Sequence, residues 1–185
     1  MRTFSFPAQV RAMLWALLPL MLLLAGCKND SDKAAKELTK LIEQHKIEDD
    51  ATIKAYLAKN NITNAEQRES GLYIIWQNRA TTGAMPTDGA QARVRYIGRF
   101  ISNDLRFDAS VDNGSLCGCS SFTVAAGTGG VIQGWVETLK LMRKGDKVII
   151  LVPSHLAYGP GGNPPTIGSF TPLKFEMELV DFTTP

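Results

Sequence analysis

Histidine is scarce in this chain of 185 residues: His45 and His155 are the only two. His45 falls on the edge of a helical stripe and His155 in a loop. Neither has the serine and carboxylate company of a Ser-His-Asp set, and the residues singled out below include no carboxylate pair for acid–base work. Cysteine is scarcer than a metal framework needs, with three in all: Cys27, Cys117 and Cys119. A lone Cys-Gly-Cys lacks the further histidine or cysteine ligands of a structural zinc, so neither metal nor cofactor is expected. An excess of charge is missing too, with 20 basic against 18 acidic side chains. Arg2 and Arg11 lie in a leader without acids, which leaves eighteen of each sign beyond it. Such a balance excludes a polyanion, nucleic acid included, as an expected partner. The one long apolar run, Met13 to Ala25, is too short at about 1.5 Å of rise per residue to cross a hydrocarbon core of roughly 30 Å as a permanent helix.

That run has basic residues before it and small residues after it, the pattern of a cleaved export signal over residues 1–26. Its end, Leu23-Leu24-Ala25-Gly26-Cys27, resembles the lipobox of bacterial lipoproteins, which implies that Cys27 is acylated and anchors the chain to a membrane. Lys28 to Lys33 reads as a flexible polar tether. Its Asp30 and Asp32 are compatible with the outer membrane in the cell envelope of a Gram-negative bacterium. Residues 27–69 hold this tether and two short helices. Ala34 to Lys46 places Leu38, Leu41, Ile42 and His45 at helical spacing, and Asp49-Asp50 reads as the start of a second helix carrying Ile53, Tyr56 and Leu57. The apolar stripe admits two partners, the main domain or a second copy of the chain in a homodimer.

From residue 70 to 185 the pattern changes to strands. Leu72 to Trp76 is rich in β-formers. From Ala92 to Phe100, the residues Ala92, Val94, Tyr96, Gly98 and Phe100 alternate with polar neighbours, as in a half-buried antiparallel strand. Short strands follow at Phe107-Asp108 and Phe122-Thr123-Val124, then two more at Lys147 to Val152 and Leu173 to Phe182. Between them a helical run from Trp135 to Met142 stops at Lys144-Gly145, with Gly145 as its C′ residue. Several antiparallel strands with one helix across them make an α+β domain with a cleft between sheet and helix. Ser154 to Pro172 is a long loop rich in proline and glycine, and loops of that length are usually functional. The pair Cys117 and Cys119 lies in a polar insertion. If joined, it closes over one residue and is easily reduced; it could be a redox site exchanging thiols and disulfides, or a loop decoration.

Tyr96-x-Gly98, Phe107-Asp108, Phe122, Val131-Ile132-Gln133-Gly134-Trp135, Met142-x-x-Gly145, Leu156-Ala157-Tyr158-Gly159 and Leu173-x-Phe175-x-Met177 resemble, in order and spacing, the FKBP-type peptidyl-prolyl cis-trans isomerases. The match runs from about Ser70 to Phe182. The resemblance implies a curved antiparallel sheet wrapped on one short helix, and an isomerase whose clients are proline-containing polypeptides. It implies that Trp135 is the floor of the pocket, with glycines from Gly127 to Gly134 letting a ligand come close. Tyr96, Phe107, Phe122 and Phe175 would be its walls, and Val131 and Ile167 would complete the lining. The Ile132 N–H and the Tyr158 hydroxyl would donate to substrate carbonyls, with Asp108 as the polar group at the rim; Asp108, Tyr158, Trp135 and Phe107 would carry catalysis. The sequence departs from the family where Gly168-Ser169 follows Ile167 in place of Pro-Pro, which favours a more mobile loop over the pocket. Val124 stands where an aromatic is usual. These departures motivate an alternative, a catalytically weak module of the same fold that binds clients as a chaperone.

Overall fold

A computed structural model describes residues 27–114, 116–125 and 130–184. The leader, Met1 to Gly26, and Gly127 to Gly129 lie outside the described residues. The chain divides into two compact units, residues 1–41 and 42–185. A single helix, α1 (Cys27–Lys59), replaces both the tether and the two short helices expected from the sequence. No glycine or proline interrupts it. The carboxylates of Asp49 and Asp50 do not cap a helix start. Asp49, 3% exposed, accepts from the N–H and hydroxyl of Ser154 at 2.7 and 2.6 Å, and Asp50 accepts from the Tyr73 hydroxyl at 2.6 Å. In the first unit Leu38 and Leu41 are exposed. Among the described residues no helix is long and apolar enough to cross a membrane.

The second unit is built on seven strands: β1 (Glu66–Gln67), β2 (Tyr73–Asn78), β3 (Gln91–Phe100), β4 (Arg106–Ala109), β5 (Ser120–Thr123), β6 (Lys147–Val152) and β7 (Leu173–Thr183). They form one sheet in the order β1-β2-β6-β7-β3-β4, with β5 also paired to β3, and every pairing is antiparallel. The strand β3 is the spine. It pairs with β7 from Gln91↔Thr183 to Phe100↔Leu173. Its other edge is shared, β5 opposite Gln91–Val94 and β4 opposite Ile97–Arg99. The expected alternation along β3 holds, with Ala92, Val94 and Gly98 buried.

One face of the sheet buries the core with the short helix α2 (Gln133–Leu139), whose Trp135, Val136 and Leu139 pack with Ile74, Val94, Ile150, Phe175 and Met177. At Gly134 a β-carbon would lie 2.7 Å from Val152 Cγ1, so glycine lets the helix lie close to the strand. The helix ends at Leu139, before the expected Lys144-Gly145. A tight turn follows that still buries Met142, and Gly145, at φ +88°, belongs to the next turn, where its N–H donates to Leu179 O. The opposite face of the sheet takes the later part of α1: Ile53 and Leu57 pack with Tyr73, Ile75, Ile101 and Leu151. Of the two partners open to the apolar stripe, this part of it has the main domain. The antiparallel sheet with one short helix, preceded by an N-terminal helix, is the α+β architecture expected.

Candidate active site

Trp135 opens α2 one turn after an extended Ile132, and the close packing of Gly134 presses its indole against the sheet. Three aromatic rings meet that indole edge-on. Tyr96 from β3 lies 4.9 Å away at 79°, Phe122 from β5 5.2 Å away at 83°, and Phe175 from β7 5.3 Å away at 85°. Edge-to-face contacts match the positive ring edge to the negative ring face, and each adds about 0.5–1.5 kcal/mol beyond the area buried. Phe107 from β4 stands against Phe175 at 5.7 Å and 88°. The rings bound a cavity of about 540 Å³.

Gly98, two residues along β3 from Tyr96 and so on the same face, is fixed by this wall. A β-carbon there would lie 2.6 Å from Phe107 Cζ and 3.0 Å from Phe175 Cε1. The Tyr96 hydroxyl donates to Asp108 Oδ2 at 2.7 Å, which anchors the ring from the exposed rim. Burial, and then the Asp108 carboxylate, raise the Tyr96 hydroxyl above the ordinary tyrosine range. Burial and the same carboxylate raise Tyr158. Both phenols therefore keep their protons at neutral pH.

Val131 and Ile132 line the cavity on the approach to α2, and Tyr158 lines it from the loop after β6. Of the residues expected in the site, Ile167 alone is not brought to the lining. It is 3% exposed in the core cluster and exchanges both backbone hydrogen bonds with Asn163, at 2.8 and 2.9 Å. Gly130, Gln133 and Ala157 join the lining too: Gly130 belongs to the glycine run expected to let a ligand come close, whereas Gln133 and Ala157 stand in the motifs without a role assigned to them. Each of the latter two neighbours a residue that had one, and that adjacency was the available signal. The loop from Ser154 to Pro172 is tied across itself: Phe170 N–H donates to Gly159 O at 2.9 Å, and the Thr171 hydroxyl to Gly168 O at 2.9 Å. His45 of α1 stacks on Phe170 at 3.8 Å, and His155 is bonded to Ser70 O at 3.0 Å, neither of them at the cavity. Among the described residues no three histidine, cysteine or carboxylate side chains are placed to hold a metal.

Comparison with known proteins gives the same picture. Residues 83–180 match the family described as FKBP-type peptidyl-prolyl cis-trans isomerase. The chain is 39% identical over 113 residues to the FKBP-type 22 kDa peptidyl-prolyl cis-trans isomerase of Escherichia coli, a match covering 61% of this chain and 50% of that protein. It is 41% identical over 97 residues to the 39 kDa FK506-binding nuclear protein of Drosophila melanogaster, covering 52% of this chain and 26% of that one. The chain thus spans a quarter to a half of these two relatives. Among solved structures, FkpA from Escherichia coli superposes with a TM-score of 0.61 at 28% identity, over 97% of this chain and 74% of that one.

Proposed function

Since the chain belongs to the FKBP-type peptidyl-prolyl cis-trans isomerase family, we propose that its aromatic cavity isomerises X–Pro bonds in polypeptide clients. The observation that carries this is the Trp135 indole held edge-on by Tyr96, Phe122 and Phe175 at the bottom of an open cavity.

Rotation of the amide must break its resonance, a barrier of about 18–20 kcal/mol. No bond is made or broken. The catalyst binds the twisted amide more tightly than the planar one, and each ~1.4 kcal/mol of that difference gives a tenfold rate. A twisted amide has lost charge separation, so an apolar surround favours it over the planar form. Trp135 supports the proline ring, and Phe107 and Phe175 close the sides. The Ile132 N–H and the protonated Tyr158 hydroxyl hold the carbonyls flanking the bond. Asp108 acts through Tyr96, whose ring it positions.

The test is an isomerisation assay on a proline peptide by nuclear magnetic resonance exchange, with and without FK506, the ligand named in relatives of this chain. Acceleration that FK506 suppresses is expected; an unchanged exchange rate would sink the reading. The same assay decides against the chaperone alternative, which requires client binding with negligible turnover.

The chain is further proposed to be a lipoprotein of the cell envelope, acylated at Cys27, with the outer membrane as its site. Support comes from the leader and Leu23-Leu24-Ala25-Gly26-Cys27. Labelled palmitate should enter the parent and not Cys27→Ser, and label in both would refute the assignment. Exposed Leu38 and Leu41 support a homodimer through the N-terminal helix. Sedimentation should show a dimer that Leu38→Ser with Leu41→Ser dissociates; a parent monomeric at every concentration would exclude it.

A further inference from the structure

Cys117 and Cys119 lie outside the proline cavity, and the structure joins their sulfurs. We propose that this Cys-Gly-Cys pair is a second functional site, a thiol–disulfide exchange centre acting on polypeptide thiols.

A bond closing over one residue removes little entropy from the unfolded chain, so stapling the fold does not account for it. The loop around it is instead held from several sides. Arg95 Nε donates to the Cys117 carbonyl at 2.8 Å, and the Ser110 hydroxyl donates to the Gly118 carbonyl at 2.6 Å. Gly118 takes φ +59°, a left-handed conformation that glycine adopts without strain. Ser110 Oγ also accepts from the Tyr96 N–H at 3.0 Å, and Cys119 immediately precedes β5 with its Phe122. The pair is therefore built onto the sheet edge that forms the cavity wall.

The two sulfurs are not equivalent. Cys119 is 6% exposed, and Nη2 of Arg93 lies 3.6 Å from its Sγ. Cys117 is only partly buried. This assigns their roles: an incoming thiolate reaches Cys117, and Cys119 is the leaving sulfur.

A client thiol first gives its proton to solvent. Its thiolate attacks Cys117 Sγ, forming a client–Cys117 disulfide as the Cys117–Cys119 bond breaks. The electron pair departs on Cys119 Sγ, where the guanidinium of Arg93 stabilises the thiolate. A second client thiolate then attacks the client sulfur of the mixed disulfide and releases Cys117 as a thiolate. The client dithiol has lost two electrons and, through solvent, two protons to become a disulfide; the pair has gained the two electrons, and its thiolates take two protons from solvent to become a dithiol. A low-molecular-weight disulfide restores the pair by the same two exchanges, leaving as two thiols.

The test mixes the whole oxidised chain with a proline-free peptide carrying two cysteines, with oxidised glutathione as the low-molecular-weight disulfide, and follows peptide thiols and protein mass. The parent should oxidise the peptide at least about tenfold faster than the Cys117→Ser, Cys119→Ser double variant, and Arg93→Gln should slow it by about threefold or more. Cys119→Ser, given the peptide in its disulfide form, should trap a mixed disulfide that mass spectrometry places on Cys117. Equal rates for parent and double variant, or no adduct on Cys117, would overturn the proposal. Because the peptide lacks proline, neither result depends on isomerase activity.

Discussion

Gly98 and Tyr158 mark two different demands on single residues. At Gly98 the demand is space. Gly98→Ala forces Phe107 and Phe175 apart, and overpacking of this kind costs about 1–3 kcal/mol. A urea titration should show that loss, together with slower isomerisation. At Tyr158 the demand is a proton. Tyr158→Phe keeps the ring and removes one hydrogen-bond donor, worth about 1 kcal/mol, so kcat/KM should fall about fivefold to tenfold with the melting temperature unmoved. The aromatic walls were legible in the sequence because each sits in a motif of its own. Ile167 is harder to read, because an apolar residue in a loop looks the same whether it faces a cavity or a core, and it is not among the residues that line the cavity. Its side chain is buried in the same core cluster as Trp135 and Phe175.

At the scale of elements the strands were more legible than the helices. Alternation along β3 and β7 marks which side is buried, and the register between them follows. The exception is Lys174, buried at an outward position, where Asp104 and the Tyr56 hydroxyl take its ammonium. A two-residue strand such as β1 carries no period, so only pairing with β2 reveals it. In α1, Asp49-Asp50 has the composition of a helix start and lies mid-helix, because their acceptors serve distant partners. Asp49→Ala therefore leaves the Ser154 N–H and hydroxyl without their acceptor at a cost of about 1–3 kcal/mol. A lower melting temperature is expected, with isomerase activity falling further than in an Ala substitution at exposed Ile47.

At the scale of the whole molecule, three of the four tyrosines share one electrostatic condition. Burial, then a neighbouring carboxylate, raises Tyr73 next to Asp50 and both Tyr96 and Tyr158 next to Asp108. A raised folded value means that the stability these groups add is fully present below the unfolded tyrosine value of about 10. It is lost as pH rises from there through the folded values. Ultraviolet titration should find these three phenols ionising later than free tyrosine, and denaturant unfolding should show the stability they contribute falling on that alkaline side. The α+β class was readable from strand alternation and the single short helix, whereas the meeting of β4 and β5 on one edge of β3 depends on contacts distant in sequence.

The grip of α1 on the loop after β6 has a consequence for linkage. Asp49 holds Ser154 near one end of that loop, and His45 stacks on Phe170 near the other, with Tyr158 between them. Coupling of this kind is reciprocal, so an occupant that steadies Tyr158 must also steady the helix. Amide hydrogen exchange along Ile42 to Lys59 should slow when a proline peptide fills the cavity, although no atom of that helix lines it.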